Sequence, residues 1–155
     1  MIAVFFGPPG AGKGTQAKFI ANFLNILHLS TGDILRDQLK IDNELTIALK
    51  NIMQDGQLVP DEIVNQIVSD RIIKKDCNKG FIFDGYPRTL SQAVYINNFF
   101  LNNNLKYDFF FEMSLDHELI IDRIKNRAAL EKRTDDSVEV INKRLEEYND
   151  QTLPV

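Results

Sequence analysis

The stretch Gly7 to Thr15, "GPPGAGKGT", constrains the fold more than any other. Before it, Ile2 to Phe6 is a short apolar run with β-branched and aromatic members, which reads as a buried strand. After it, from Lys13, Ala17, Ile20, Ala21 and Leu24 recur at helical spacing. Strand, glycine loop and helix in succession are the context in which such a loop binds an anion. Its glycines let the backbone come close and adopt positive φ, and its amides with the helix start form an anion site. Lys13 adds a point charge suited to β- and γ-phosphates. The bland alternative is a glycine-rich turn with a surface lysine, and the flanking elements argue against it. One detail is unusual. The residue after the lysine, ordinarily a hydroxyl that holds magnesium, is Gly14, and the hydroxyl comes one place later at Thr15.

The remaining pattern alternates in the same way. Leu27 to Leu29 reads as a short strand, and Ser30 as the cap of a helix through Leu39. A helix over Glu44 to Gln54 precedes Gly56. Pro60 marks another helix start, where Asp61 and Glu62 suit the positive dipole end. Ile63, Val64, Ile67, Val68 and Ile72 follow at helical spacing. "GFIFDGYPR" is a strand between glycines with Asp84 at its carboxyl end. A helix from Thr89 to Leu101, a strand in "DFFFEM", a helix over Glu118 to Asn126, a polar stretch and a last helix from Val138 to Tyr148 complete the chain. Strands alternating with helices imply an α/β fold with a parallel sheet and right-handed crossovers. Ligands of such sheets sit outside the carboxyl ends of the strands, where Gly7 and Asp84 both fall.

Composition sets the outer limits. The 155 residues suffice for one ordinary domain with a real core, and 44% hydrophobic with 26% charged residues is typical of globular chains. No apolar run approaches the roughly 20 residues that span a bilayer. The opening "MIAVFFGPPG" has no basic leader, so no signal peptide is expected. The single cysteine, Cys77, excludes an internal disulfide and a multi-cysteine zinc site. A cytoplasmic location fits these features. A net charge of −4 weighs against a nucleic-acid partner, though a local cluster of cations can still create a positive pocket.

Seven arginines supply such a cluster: Arg36, Arg71, Arg88, Arg123, Arg127, Arg133 and Arg144. Arg123 and Arg127 are four apart on one expected helix and share a face. Arg88 follows Asp84 closely, at a strand end beside the glycine loop. A guanidinium grips phosphate oxygens bidentately, which an ammonium cannot do. Each arginine taken singly reads as solvated surface. As a set around one loop they point to phosphoryl transfer, where positioning and charge neutralisation dominate. His28 and His117 read as surface or packing residues, Cys77 as packing, and Phe99, Phe100 and Phe109 to Phe111 as core.

Five segments, "GPPGAGKGTQA", "LSTGDILR", "GQLVPDE", "GFIFDGYPRTLSQA" and "RTDDSVEVINKRLEEY", each resemble a signature of the adenylate kinases, in that family's order and spacing. The resemblance implies a P-loop three-layer fold with a central parallel β-sheet flanked by helices. It implies one kinase domain over residues 1–155, with an AMP-binding segment at 30–59 and a short lid connection at 127–137. The implied reaction is reversible phosphoryl transfer from Mg-ATP to AMP, giving two ADP. Gly10, Ala11, Gly12, Lys13, Gly14 and Thr15, with Arg123 and Arg127, would bind ATP. Thr31, Arg36, Gln57, Leu58, Val59, Gly85, Arg88, Gln92, Arg133 and Arg144 would bind AMP, Gln92 through its amide. Lys13, Arg88, Arg127, Arg133 and Arg144 would act in the transfer itself. Asp84 would orient the water shell of magnesium, and no zinc is expected. Asp33 is a candidate general base by position, with a helix-start role as its alternative. Arg71 alone is left as plain surface.

Two readings compete with this one. UMP- or CMP-directed relatives tend to carry alanine at the place of Thr31 and asparagine at the place of Gln92, so both positions favour AMP. A nucleotide-binding module without catalysis is the other. The family's terminal strand and helix are absent from this chain, which would leave the strand at Phe109 to Phe111 as an uncovered edge. The family is usually monomeric, but a chain ending at Val155 is expected to show weak stability, self-association or disorder near the carboxyl end; the alternative is that the chain is part of a longer protein. A monodisperse, thermally robust monomer in sedimentation and melting experiments counts against that expectation.

Overall fold

The computed structural model describes residues 1–38, 44–115, 119–120, 123–124 and 138–155. Strand β1, Ile2–Phe6, runs into the glycine loop and helix α1, Lys13–Leu24. Asn25 ends α1 in a left-handed conformation, and strand β2, Leu27–Ser30, follows. Helix α2, Thr31–Gln38, starts where Ser30 accepts the Asp33 N–H through its hydroxyl at 3.3 Å, the cap the sequence implies. Helices α3, Glu44–Gln54, and α4, Asp61–Ile72, come next, then strand β3, Phe81–Asp84. Helix α5, Leu90–Asn102, is capped by Thr89, whose hydroxyl accepts from the Gln92 N–H. Strand β4, Phe109–Glu112, and helix α6, Val138–Glu147, with a π turn over Tyr148–Thr152, finish the described elements. A 3₁₀ turn over Lys75–Lys79 was not foreseen.

The four strands are all parallel, in the order β2-β3-β1-β4. Side-chain alternation sorts the sheet's two faces. Ile2 and Val4 of β1 join Phe81 and Phe83 of β3 on one face, where α4 and α5 contribute Val64, Val68, Ile72, Ile96 and Phe100. Ala3, Phe5 and Ile82 point the other way, against Ala17 and Ala21 of α1. Helices therefore cover both faces, which is why the strands read as continuous apolar runs rather than alternating ones. A third cluster joins Ile120 and Ile124 to Ile141 and Leu145 of α6.

Two sequence expectations are corrected here. Phe109, Phe110 and Phe111 are not core: they are 51%, 61% and 39% exposed. β4 is an edge strand that pairs only with β1, and among the described residues no helix lies over it. The rings instead lean on their neighbours, Phe111 on Phe5 and Phe110 on Tyr107. Arg71 is not plain surface. Its guanidinium forks onto both carboxylate oxygens of Asp76 at 2.9 Å and reaches Cys77 Sγ, tying α4 to the 3₁₀ turn. That hydrogen bond raises the Arg71 pKa and lowers that of Asp76. Cys77 is buried as expected, and burial pushes its thiol pKa up, away from reactivity.

Phe83 lies at the centre of an aromatic cluster with Phe81, Tyr86 and Phe100. Phe83→Ala is expected to lower unfolding free energy by about 3–5 kcal/mol in urea titrations. Phe110→Thr, at the exposed edge, should change it by less than about 1 kcal/mol.

Candidate functional site

Register brings the site together. Phe5 of β1 pairs with Asp84 of β3, so the glycine loop leaves β1 beside the Asp84 carboxylate. A Cβ built on Gly14 would sit 3.1 Å from Asp84 Oδ2. The missing hydroxyl of the loop thus has a steric counterpart: a side chain at position 14 would crowd the Asp84 carboxylate unless that group shifted by a few tenths of an ångström. Gly7, at φ +137°, passes so close to the end of β4 that a Cβ would meet the Met113 carbonyl oxygen at 2.2 Å. Lys13 folds inside the loop, its Nζ donating to the Gly7 and Pro8 carbonyls at 2.7 and 2.8 Å.

Asp84 is anchored from two sides. Thr31 donates its hydroxyl to the Asp84 carbonyl at 3.0 Å, and His28 Nε2 lies 3.0 Å from Oδ2. A carboxylate oxygen accepts, so His28 donates through Nε2. This corrects the reading of His28 as mere surface or packing. Its signal was invisible in the chain because nothing there says that β2 pairs with β3.

A cleft of about 1360 Å³ opens from the loop along the carboxyl ends of the strands. It is lined on one side by the loop from Gly10 to Thr15, and elsewhere by Thr31, Arg36, Gln57 to Val59, Asp84, Gly85, Arg88, Gln92, Arg123 and Arg144. Every proposed site residue among the described ones lies on it. Arg127 and Arg133, with the connection at 127–137, fall outside the described residues, as does His117.

The guanidiniums differ in setting. Arg123 Nη1 donates to the Ala11 carbonyl at 3.4 Å, which places it against the loop. Arg36 donates to the Asp33 carboxylate one turn back on α2. Arg144 of α6 lies over Gly56, whose Cβ position is 3.3 Å from Arg144 Cγ. Arg88 Nε holds the Gly85 carbonyl at 2.8 Å, and Thr152 donates to the Arg88 carbonyl at 2.9 Å. Enclosure within the cleft depresses the Arg88 pKa, the positive charges of Arg144 and Arg36 add to this, and Asp84 opposes it. The residue is still exposed to solvent, so the guanidinium stays charged.

Gln92 is 2% exposed, with Nε2 donating to Asp61 Oδ1 at 2.7 Å and Oε1 accepting from the Arg88 N–H at 2.8 Å. Asp61 also accepts from the Thr89 hydroxyl at 2.7 Å. Sequence reasoning assigned Asp61 only to the helix dipole. Among the described residues no group of three or more His, Cys, Asp or Glu could hold a metal ion, and no helix is long and apolar enough to cross a membrane.

A glycine cradle at a helix start, with an acidic strand end beside it and guanidiniums opposite, defines a P-loop phosphotransferase. Comparison with known proteins narrows this. The profile of the family described as Adenylate kinase matches residues 5–155. An adenylate kinase of Sinorhizobium medicae is 47% identical, aligning all of this chain with 84% of its own length. One from Brucella melitensis is 44% identical, over all of this chain and 83% of the relative. A more distant one from Acholeplasma laidlawii is 40% identical, over 98% of this chain and 82% of the relative. The chain belongs to the adenylate kinase family and is an ATP-binding transferase, a nucleoside monophosphate kinase.

The tight passage at Gly7 is open to test. Gly7→Ala should cost about 1–3 kcal/mol of stability, from the strained φ and the clash with Met113, and should weaken nucleotide binding. Thermal melts with and without ATP measure both.

Proposed function

We propose that the chain transfers the γ-phosphoryl group of Mg-ATP reversibly to AMP, giving two ADP. The supporting observation is one continuous cleft that holds both a phosphate cradle and a second set of guanidiniums. At about 1360 Å³ it exceeds the roughly 300–1,000 Å³ of a single-ligand pocket and has room for two nucleotides. On this reading ATP lies on the loop from Gly10 to Thr15 with Arg123 and Arg127. AMP lies in the 30–59 segment and against Gly85, Arg88 and Gln92. An oxygen of the AMP phosphate attacks the γ-phosphorus, and the bond to the β,γ-bridging oxygen breaks, that oxygen leaving with the electron pair as ADP. Lys13, Arg88, Arg127, Arg133 and Arg144 neutralise charge as it redistributes.

Asp84 fits a magnesium ion held largely through water. It is a carboxylate at the cleft wall, hydrogen-bonded to His28, with the loop's anion site beside it. Magnesium, when bound beside Asp84, would supply positive charge that offsets the charge of the phosphates. Closure over residues 127–137 and 30–59 would keep water from the phosphoryl group. We read the location as cytoplasmic.

ADP formation from Mg-ATP and AMP, compared with UMP, CMP and GMP as acceptors, tests the proposal. A clear preference for UMP would replace AMP as acceptor, and nucleotide binding without turnover would leave a binding module. Lys13→Met should lower kcat by about 10²–10³ while the fold persists. Arg88→Ala should raise KM for AMP and lower kcat, leaving ATP affinity nearly unchanged.

A further inference from the structure

Gln92 is nearly fully buried, yet its amide borders the cleft. A glutamine amide has two donor hydrogens and two acceptor lone pairs. One hydrogen goes to Asp61 and one lone pair takes the Arg88 N–H. One of each is left for whatever enters. The two ends are not interchangeable. Asp61 offers only acceptor oxygens, so Nε2 must face it, and the Arg88 amide offers only a donor, so Oε1 must face that. Turning the amide by 180° would set Oε1 against a carboxylate oxygen and Nε2–H against N–H.

Asp61 is itself immobilised. Its second oxygen takes the hydroxyl of Thr89, whose oxygen caps α5 by accepting the Gln92 backbone N–H. Neither Asp61 nor Thr89 lines the cleft. They stand behind Gln92 and bind the start of α4 to the start of α5.

We infer that Asp61 is the positioning residue that sets acceptor-base specificity, by locking the Gln92 amide in the orientation that pairs with a 6-aminopurine and rejects a 6-oxopurine. An adenine edge presents an acceptor at N1 beside a donor at the 6-amino group, which the fixed Nε2–H and Oε1 match. Glutamine and asparagine read adenine edges in this bidentate manner elsewhere. A hypoxanthine edge reverses both atoms: O6 would face Oε1 and N1–H would face Nε2–H. Unpaired buried polar groups make such mismatches costly. The inference rests on the reading of the cleft as a nucleoside monophosphate site.

The test is equilibrium binding of AMP and of IMP by calorimetry, which needs no turnover, on the wild-type chain and on Asp61→Asn. The asparagine is isosteric but can present either a donor or an acceptor, so the carboxylate's share of the lock is lost and only the Arg88 N–H still opposes a turned Gln92 amide. The wild type should prefer AMP strongly, and the preference should fall about tenfold or more in Asp61→Asn. Loosening of the fold alone would weaken both nucleotides by the same factor. An unchanged AMP-to-IMP ratio in Asp61→Asn overturns the inference. So does a wild type that binds the two alike or binds neither, a result independent of whether the variant folds. Loss of Asp61-dependent selectivity with ADP still formed removes this inference alone. Selectivity without ADP formation removes the proposed reaction and leaves the role of Asp61 standing.

Discussion

The parallel pairing of β1 with β3, in the register that sets Phe5 opposite Asp84, is the constraint from which the site follows. Parallel strands buried on both faces slip with difficulty, because a shift of one residue would exchange their two apolar sets. Here that would drive Val4 and Phe83 out of the α4–α5 face and Ala3 and Ile82 out of the α1 face. The small residues Ala17 and Ala21 on the sheet-facing side of α1 let that helix approach closely, so its first turn and the loop meet the strand ends. Glycine at position 14 suits this arrangement, because a Cβ there would press on the Asp84 carboxylate across the gap.

Charge completes what packing begins. The chain is acidic overall, but its cleft gathers Lys13, Arg36, Arg88, Arg123 and Arg144. These cations hold loop carbonyls and nearby carboxylates: Lys13 those of Gly7 and Pro8, Arg123 that of Ala11, Arg36 the Asp33 carboxylate. Such contacts keep the groups placed without fully neutralising them. The Arg88 pKa is depressed chiefly by burial, with a smaller contribution from the positive charges of Arg144 and Arg36. Preorganised charge of this kind stabilises a transferring phosphoryl group without reorganisation at the moment of reaction.

Much of the fold was legible in the chain. β1, the glycine loop and α1 follow from an apolar run, glycines and a 3.6-residue period. The Ser30 cap of α2 and the Pro60 start of α4 follow from local backbone chemistry. Other features were not legible, each for a physical reason. The triplet Phe109 to Phe111 has the composition of a core strand, and its exposed edge was expected only through the resemblance to the adenylate kinases, because exposure depends on what lies beside the strand and above it. The Arg71–Asp76 fork depends on an unforeseen 3₁₀ turn. His28 and Asp61 belong to networks that close across 56 and 31 residues of sequence, beyond the reach of any local pattern.

By itself, the sequence determined that a strand, an anion cradle and a helix come in succession, because backbone freedom and apolar period are local properties. It also determined which side chains were available to grip phosphates. Only the tertiary structure decided which of them share a cleft, that Asp84 stands against Gly14, and that Asp61 holds the Gln92 amide from behind. Those are distances between segments remote in the chain. They are settled by sheet register and by the packing of helices on both faces, where an error of a single residue would bury the wrong atoms.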